Sequence, residues 1–309
     1  MNYFETPAAR SSRKLMRPIL LSLVVLLVPA AAHAERLRYR FRTGQTIEYR
    51  ANLAGATMLG QTGGQMARMQ FRMTARQLQR VRSLSGGTVV LDVVESTLSG
   101  KMTMSGKTEP MDRAPNRSVV RMTERGRFLD RKGQGEPGEE AGASGIDGAD
   151  VLFGLNFPDR DVKPGDTWQD TFEIGSKAAP QRVRGTWKYV AREVFRGRPC
   201  AKITTVLSMP MTGGDTELGV GLSERGKMSA TMTTYFDPKE GIEIYSSGSL
   251  VTTSKADLTS LSPEAGELAN VTKINLIQWY VPKKKGPGES QLSIPGSVRV
   301  LGEQYGRAK

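Results

Sequence analysis

The feature that most constrains this chain is a turn followed by an alternating stretch, at residues 162–174. Lys163-Pro164-Gly165-Asp166 is a turn signal: proline presets φ at the first central position and glycine accepts a positive φ at the second. Beyond it, Trp168, Asp170, Phe172 and Ile174 fall on one face of an extended chain. Thr167, Gln169, Thr171 and Glu173 fall on the other, which is the period of a half-buried strand. An echo stands earlier, Arg42-Thr43-Gly44-Gln45-Thr46-Ile47-Glu48-Tyr49. The two predict related halves, each opened by a turn and a strand.

The first half covers residues 35–131. Leu37, Tyr39 and Phe41 alternate with Arg36, Arg38, Arg40 and Arg42, predicting a strand whose antiparallel partner is Thr46–Leu53. Residues 54–66 are small and glycine-rich and read as a loop. Met69, Phe71, Met73 and Ala75 share a face of a strand running to Val81, with an apparent phase shift at Leu78. Ser85-Gly86-Gly87-Thr88 is a hairpin turn, and Val89–Leu98 is the return. Lys101–Met104 reads as a short strand and 106–117 as a loop. Two short strands follow, Ser118–Thr123 and Arg127–Asp130.

Residues 132–150 are crowded with glycine and nearly free of apolar side chains, as a flexible linker would be. No Gly-Lys-Ser/Thr occurs there to cradle phosphate, and no alternating acidic loop to hold calcium. The second half, 151–281, repeats the outline, with a helical turn expected just after 151. Val183, Gly185, Trp187, Tyr189 and Ala191 share a face, Phe195-Arg196-Gly197-Arg198 turns, and Pro199–Leu207 returns. The Gly44–Gly86 spacing exceeds the Gly165–Gly197 spacing by about the length of 54–66, as an inserted loop would require. Lys227–Phe236, with Met228 and Met232 on one side, pairs with Ile242–Thr253 about Asp237–Gly241. Ser262-Pro263-Glu264 supplies a cap, a first-turn proline and an acidic residue, so a short helix is expected near 262–270. Ile274–Val281 reads as the last strand, and 282–309 as a basic, partly flexible tail.

The first 34 residues read as a segment apart from the fold. Arg10, Arg13, Lys14 and Arg17 precede an apolar run from Ile19 to Val28, and Ala32-His33-Ala34 is a small-x-small cleavage site. This is the pattern of a secretory signal peptide cut after Ala34, leaving no transmembrane span. His33 is the single histidine, so the mature chain has no His-based triad and no His-ligated metal site. Cys200 is the single cysteine, so no intrachain disulfide forms; within a strand it reads as a small buried hydrophobe. The formal charge of the whole chain is +13. A basic surface favours anionic partners, such as an envelope surface or an acidic envelope protein, and export argues against nucleic acid.

Methionines recur at short intervals: Met69/Met73, Met102/Met104, Met209/Met211, Met228/Met232. Thioethers ligate Cu(I), but this spacing is also what strand faces give, and methionine suits a pocket that holds variable acyl chains. Asp159, Asp161, Asp166, Asp170 and Glu173 cluster about the central turn, where turn capping and solvated faces account for them. No Gly-x-Ser-x-Gly elbow is present. No cofactor and no catalytic residue is expected.

Three motifs carry a resemblance. They are Leu37-x-Tyr39-x-Phe41 with Gly44 and Tyr49; Val162, Gly165, Asp166 and Trp168; and Phe236-Asp237-Pro238 with Gly241. Across roughly 36–253 the chain resembles bacterial exported proteins of uncharacterised function. More widely it is similar to periplasmic lipoprotein carriers, in which a curved, unclosed antiparallel sheet wraps helices around an apolar cavity. Its weak helix content departs from them. The resemblance implies a mainly β (β-rich α+β) fold: two related halves of curved antiparallel sheet, half-barrel-like. It also implies a non-enzymatic role, binding a lipid or acyl chain. The concave face expected to line such a cavity is Tyr39, Phe41, Met69, Phe71, Met73, Trp168, Phe172, Trp187, Tyr189, Met228 and Met232. The same residues would form a dry core if no cavity exists. A structural or protein-binding envelope module is the alternative, with Arg36, Arg38, Arg40 and Arg42 meeting an anionic partner; a His-free hydrolase is a third.

Overall fold

A computed structural model describes residues 34–61, 64, 66–111, 114–133, 154–174, 181–213, 224–257 and 266–282. The signal-peptide expectation, most of the linker, residues 151–153 and the tail from 283 lie outside these residues. Twelve strands follow one another: β1 Thr46–Gln61, β2 Met66–Ser85, β3 Thr88–Met104, β4 Lys107–Pro110, β5 Asn116–Thr123, β6 Phe128–Gly133, β7 Thr167–Ile174, β8 Gln181–Phe195, β9 Arg198–Gly213, β10 Glu224–Asp237, β11 Ile242–Asp257 and β12 Glu267–Val281. All are antiparallel in one curved, nearly closed sheet of order β6-β5-β3-β2-β1-β12-β11-β10-β9-β8-β7, with β4 beside β3. The fold is half-barrel-like and all β among the described residues.

The strand order explains the two halves. Read across the sheet, β7 to β12 is followed directly by β1 to β6, so the halves lie side by side as successive runs of one meander. The β1–β12 ladder joins them over fourteen pairs, from Glu48↔Val281 to Gln61↔Leu268.

Both opening turns dock in the same way. The Gln45 N–H donates to the Arg42 carbonyl at 2.9 Å and the Asp166 N–H to that of Lys163 at 3.0 Å. Gly44 (φ +78°) and Gly165 (φ +98°) take the positive φ of the second central position. The Gly44 N–H then donates to the Val81 carbonyl, and the Val81 N–H to that of Gln45. Gly165, Tyr189 and Asp166 repeat the exchange. Each receiving strand breaks register at that point, between Val81 and Ser83 and between Tyr189 and Ala191. A bulge there accommodates the docked turn.

Three hairpins turn on two residues of positive φ, Gly86-Gly87, Ser105-Gly106 and Arg196-Gly197, the type I′ geometry that matches strand twist. The first and third lie at the same end of the sheet as the two docked turns, the β5–β6 turn and the β10–β11 turn. The connections β1–β2, β7–β8, β9–β10 and β11–β12 all leave from the opposite end.

The structure corrects several expectations. Residues 54–61 are the continuation of β1, not a loop: Ala54 is buried and the Phe71 ring lies over Gly55, where a Cβ would meet it at 2.5 Å. Longer strands, not an inserted loop, explain the wider spacing of the first half. Lys101–Met104 is the end of β3, and Lys107–Pro110, read as loop, is β4. The helix expected near 262–270 is overturned from residue 267 onward. Glu267–Asn270 open β12 and pair with β11 and β1, and those two ladders outweigh a local cap signal. Residues 154–158 hold no helical turn.

Leu37–Arg42 is extended, yet it is not a strand of the sheet and does not pair with β1. Its backbone bonds go to two turns: Tyr39 N–H to the Glu124 carbonyl (2.8 Å) and Arg40 N–H to that of Gly241 (3.2 Å). A second strap, 154–162, mirrors it. Phe157 N–H donates to the Arg125 carbonyl (2.7 Å), and Glu35 and Val162 exchange two bonds. The strap of the first half thus bridges its own β5–β6 turn and the β10–β11 turn of the second half, and that of the second half also sits on the β5–β6 turn of the first.

One large core draws on both halves, from Leu53, Phe71 and Met73 to Val183, Trp187, Leu207 and Met228. Each fully buried side chain of this kind contributes on the order of 1.5–3 kcal/mol. Smaller clusters flank it about Ile47, Tyr49 and Ile244, and about Val81, Val89 and Leu91.

Candidate functional site: a polar cavity and a methionine-lined end

Eleven residues were expected on a concave face. The structure brings nine of them, Tyr39, Phe71, Met73, Trp168, Phe172, Trp187, Tyr189, Met228 and Met232, into the one large buried core, with Phe41 packed against it. Met69 is half-buried on the same face. Of the eleven, only Tyr39 and Phe41 touch the described cavity. Trp168 faces Trp187 across the β7–β8 ladder, and the Trp187 ring covers Gly185. The Trp187 Nε1 is buried with no partner. The arginines sit as the alternation requires: Arg36, Arg38, Arg40 and Arg42 are all exposed on the first strap, Arg36 paired with Asp159.

The cavity holds about 100 Å³ and is lined by the two straps, by strands of the first half and by one residue each of β11 and β12. Its apolar wall is Leu91 and Val93 of β3, Val120 and Met122 of β5, and Phe128 of β6. Phe41, Gly126 and Gly154 complete the strap side. The polar part comprises Tyr39, which was expected to line a cavity, and Glu243, Tyr49, Gln77, Gln79 and Gln278, which were not.

Glu243 owes its place to an irregularity. The β10–β11 register shifts between Tyr235 and Phe236, so that Phe236 faces Glu243 and the carboxyl turns inward. It is 8% exposed. Its Oε1 accepts from the Tyr39 hydroxyl and, at 3.4 Å, from the Leu155 N–H; its Oε2 accepts from Ser246 Oγ at 3.1 Å. Ser246 in turn lies 3.1 Å from Thr234 Oγ1. Burial raises the Glu243 carboxyl above the usual carboxylate range, against the lowering effect of those three donors. Burial and the neighbouring carboxyl push the Tyr39 and Tyr49 phenols well up. Tyr39 is fixed by rings as well, stacked on Phe41 at 5.5 Å and edge-on to Phe236 at 5.5 Å.

The glutamines form a row across the inner face. Gln79 Nε2 donates to Gln77 Oε1 (2.7 Å), Gln77 Nε2 to Glu95 Oε1 (2.9 Å), and Arg131 to Glu95 Oε2 (3.2 Å). This row accounts for the phase shift read at Leu78. The strand keeps its phase there, and Gln77 and Gln79 are inward residues that happen to be polar. Glu243 was signalled faintly, as a lone carboxyl between two isoleucines just after a turn.

Along β2 the inner face changes character from one end to the other: Gln79, Gln77, Ala75, Met73, Phe71, Met69. The small pair Ala75↔Ala51 separates the glutamines from the apolar part. Farther on, Met69 faces Met104, Phe71 faces Met102 and Met209 faces Met228. Met209 and Met228 are buried, whereas Met104 is 54% exposed. The inner face therefore has a polar cavity at the tight-turn end and a methionine-lined region at the other.

Among the described residues no group of three metal-ligating side chains occurs, and no helix is long and apolar enough to cross a membrane. Cys200 is fully buried and its thiol is pushed up to about 11, first by desolvation and then by Asp237, as expected of an inert core cysteine.

No family model matches the chain, and no curated protein matches it. Among solved structures it is similar to lipovitellin, in a structure concerned with that protein's lipid–protein interactions. The two are 13% identical with a TM-score of 0.43, over 82% of this chain and 27% of the other, so this chain spans about a quarter of the lipovitellin chain.

Proposed function

We propose that the protein is an exported, non-enzymatic binder of an amphiphilic molecule, with its signal peptide removed after Ala34. One observation carries this reading: the inner face is divided lengthwise into a polar cavity and a methionine-lined apolar end. An amphiphile has the same division. At about 100 Å³ the cavity has room for a head of roughly three waters' volume. An acyl chain would run past Ala75 and Ala51 and enter among Met73, Met69, Met102 and Met104, whose unbranched side chains give way at low cost. Trp168, Phe172, Trp187 and Tyr189 then serve as the packed far wall. The exposed arginines of the first strap would face an anionic envelope surface. One carboxyl, Glu243, lines the cavity, whereas a paired-carboxylate hydrolase needs two.

A second reading, a protein-binding module of the cell envelope, draws on the two edge strands. The β6 and β7 strands end the sheet, each with one side unpaired in the ladders described.

Native mass spectrometry on protein purified from its own source, with an organic extract of the same sample, tests the first reading. A stoichiometric adduct lost on extraction supports it. A bare chain that stays bare after exposure to envelope lipids overturns it and leaves the second.

A further inference from the structure

The polar cavity carries a more specific reading, which rests on the amphiphile-binding proposal and names the head. Glu243 is an interior carboxyl with hydrogen-bond donors but no cation: its partners are Tyr39, Leu155 N–H and Ser246, and no arginine or lysine contacts it among the described residues. In a chain of net charge +13 this is unusual. Aromatic rings from three elements surround the same space, Tyr39 on the strap, Tyr49 on β1 and Phe128 on β6. Gln79, which also lines the cavity, donates one of its two amide N–H groups to Gln77 and keeps its carbonyl oxygen as an acceptor. Carboxyl, ring faces and amide oxygen all favour positive charge and N–H donors. An anionic head would meet Glu243 without a counter-charge.

We infer that the cavity is a site for an organic ammonium group, primary to quaternary, held by Glu243 against the rings of Tyr39, Tyr49 and Phe128. The group could belong to a free small amine or to the head of an amphiphile. A cation replaces the missing counter-charge of a buried carboxyl, so its attraction is not spread through water.

Titration calorimetry on the signal-free chain tests this with decyltrimethylammonium, decyl sulfate, a decyl glycoside and tetramethylammonium, all below micelle-forming concentrations. The expected result is decyltrimethylammonium bound at least about tenfold more tightly than the neutral and anionic decyl compounds, a gap of about 1.4 kcal/mol. In Glu243→Gln the preference should vanish. Equal binding of the three decyl compounds overturns the ammonium site and leaves the amphiphile reading standing. No binding of any decyl compound, with a clean organic extract, overturns both. Tetramethylammonium binding as tightly as its decyl analogue would assign the site to free amines and remove the acyl chain from the account. The comparison of heads in the unaltered protein does not depend on whether Glu243→Gln folds.

Discussion

Glu243 sets the chemistry at the smallest scale. Its carboxyl is raised in the folded chain by burial, so the native state holds the proton more tightly than the unfolded state does. The sign follows: this group's contribution to stability is greatest below its ordinary value near 4.5 and is lost as pH rises toward the folded value. The titratable groups facing it are the Tyr39 and Tyr49 phenols, both pushed up and neutral throughout that window. Ligand-free protein should therefore show a melting temperature that declines across the window, flattened in Glu243→Gln. Glu243→Ala would leave the buried Tyr39 hydroxyl without its acceptor, at a cost of about 1–3 kcal/mol, while the Leu155 N–H keeps the Tyr39 oxygen at 3.2 Å. Equal pH profiles for the parent and the Gln variant would show that the carboxyl does not titrate in this way.

Among the elements, the straps hold the two halves together through two glycines. A Cβ on Gly126 (φ +89°) would stand 1.8 Å from the Leu155 carbonyl oxygen, and one on Gly241 (φ +67°) 2.3 Å from the Arg40 nitrogen. Gly86 (φ +56°) has nothing within 4 Å. Gly126→Ala and Gly241→Ala should each lose about 2 kcal/mol or more, from left-handed backbone plus displacement of a strap, while Gly86→Ala loses about 1. Denaturant midpoints at unchanged m-value check this ordering. The elements also show what the sequence could reveal. The turns at Gly44, Gly86, Gly165, Gly197 and Gly241, and the strands about them, were legible because positive φ and period-two burial leave direct marks in composition. Ala54 and Gly55 misled because small residues suggest a loop, whereas here they make room for Phe71. The helix expected from Ser262-Pro263-Glu264 does not reach Glu267–Asn270, because a cap is local and the ladders of β12 are not. Leu37–Arg42 shows strand alternation in its burial, but alternation says nothing about which backbone it bonds to. The cavity was hardest to foresee. Gln77 and Gln79 looked like a broken pattern, and Glu243 turns inward only through a bulge that no spacing announces.

Across the whole molecule, the large core mixes residues of both halves, so neither half holds the main apolar interior alone. One cooperative transition is expected, with calorimetric and van't Hoff enthalpies in agreement and with ring signals and backbone circular dichroism lost together. Two resolved transitions would mean that the halves unfold separately, against the shared packing of Leu53, Phe71 and Met73 with Trp187 and Leu207.

The place of β1 beside β12 has a further consequence, for how the chain is assembled. Glu48 and Val281 are ladder partners 233 residues apart in the chain. Every other strand pairs with one near it in sequence, so β1 keeps one long bare flank until the last strand arrives. Such a flank is slow to close and open to the wrong neighbour while it waits. A rearranged chain that began at β7 and ended at β6 would build the same sheet with no such delay.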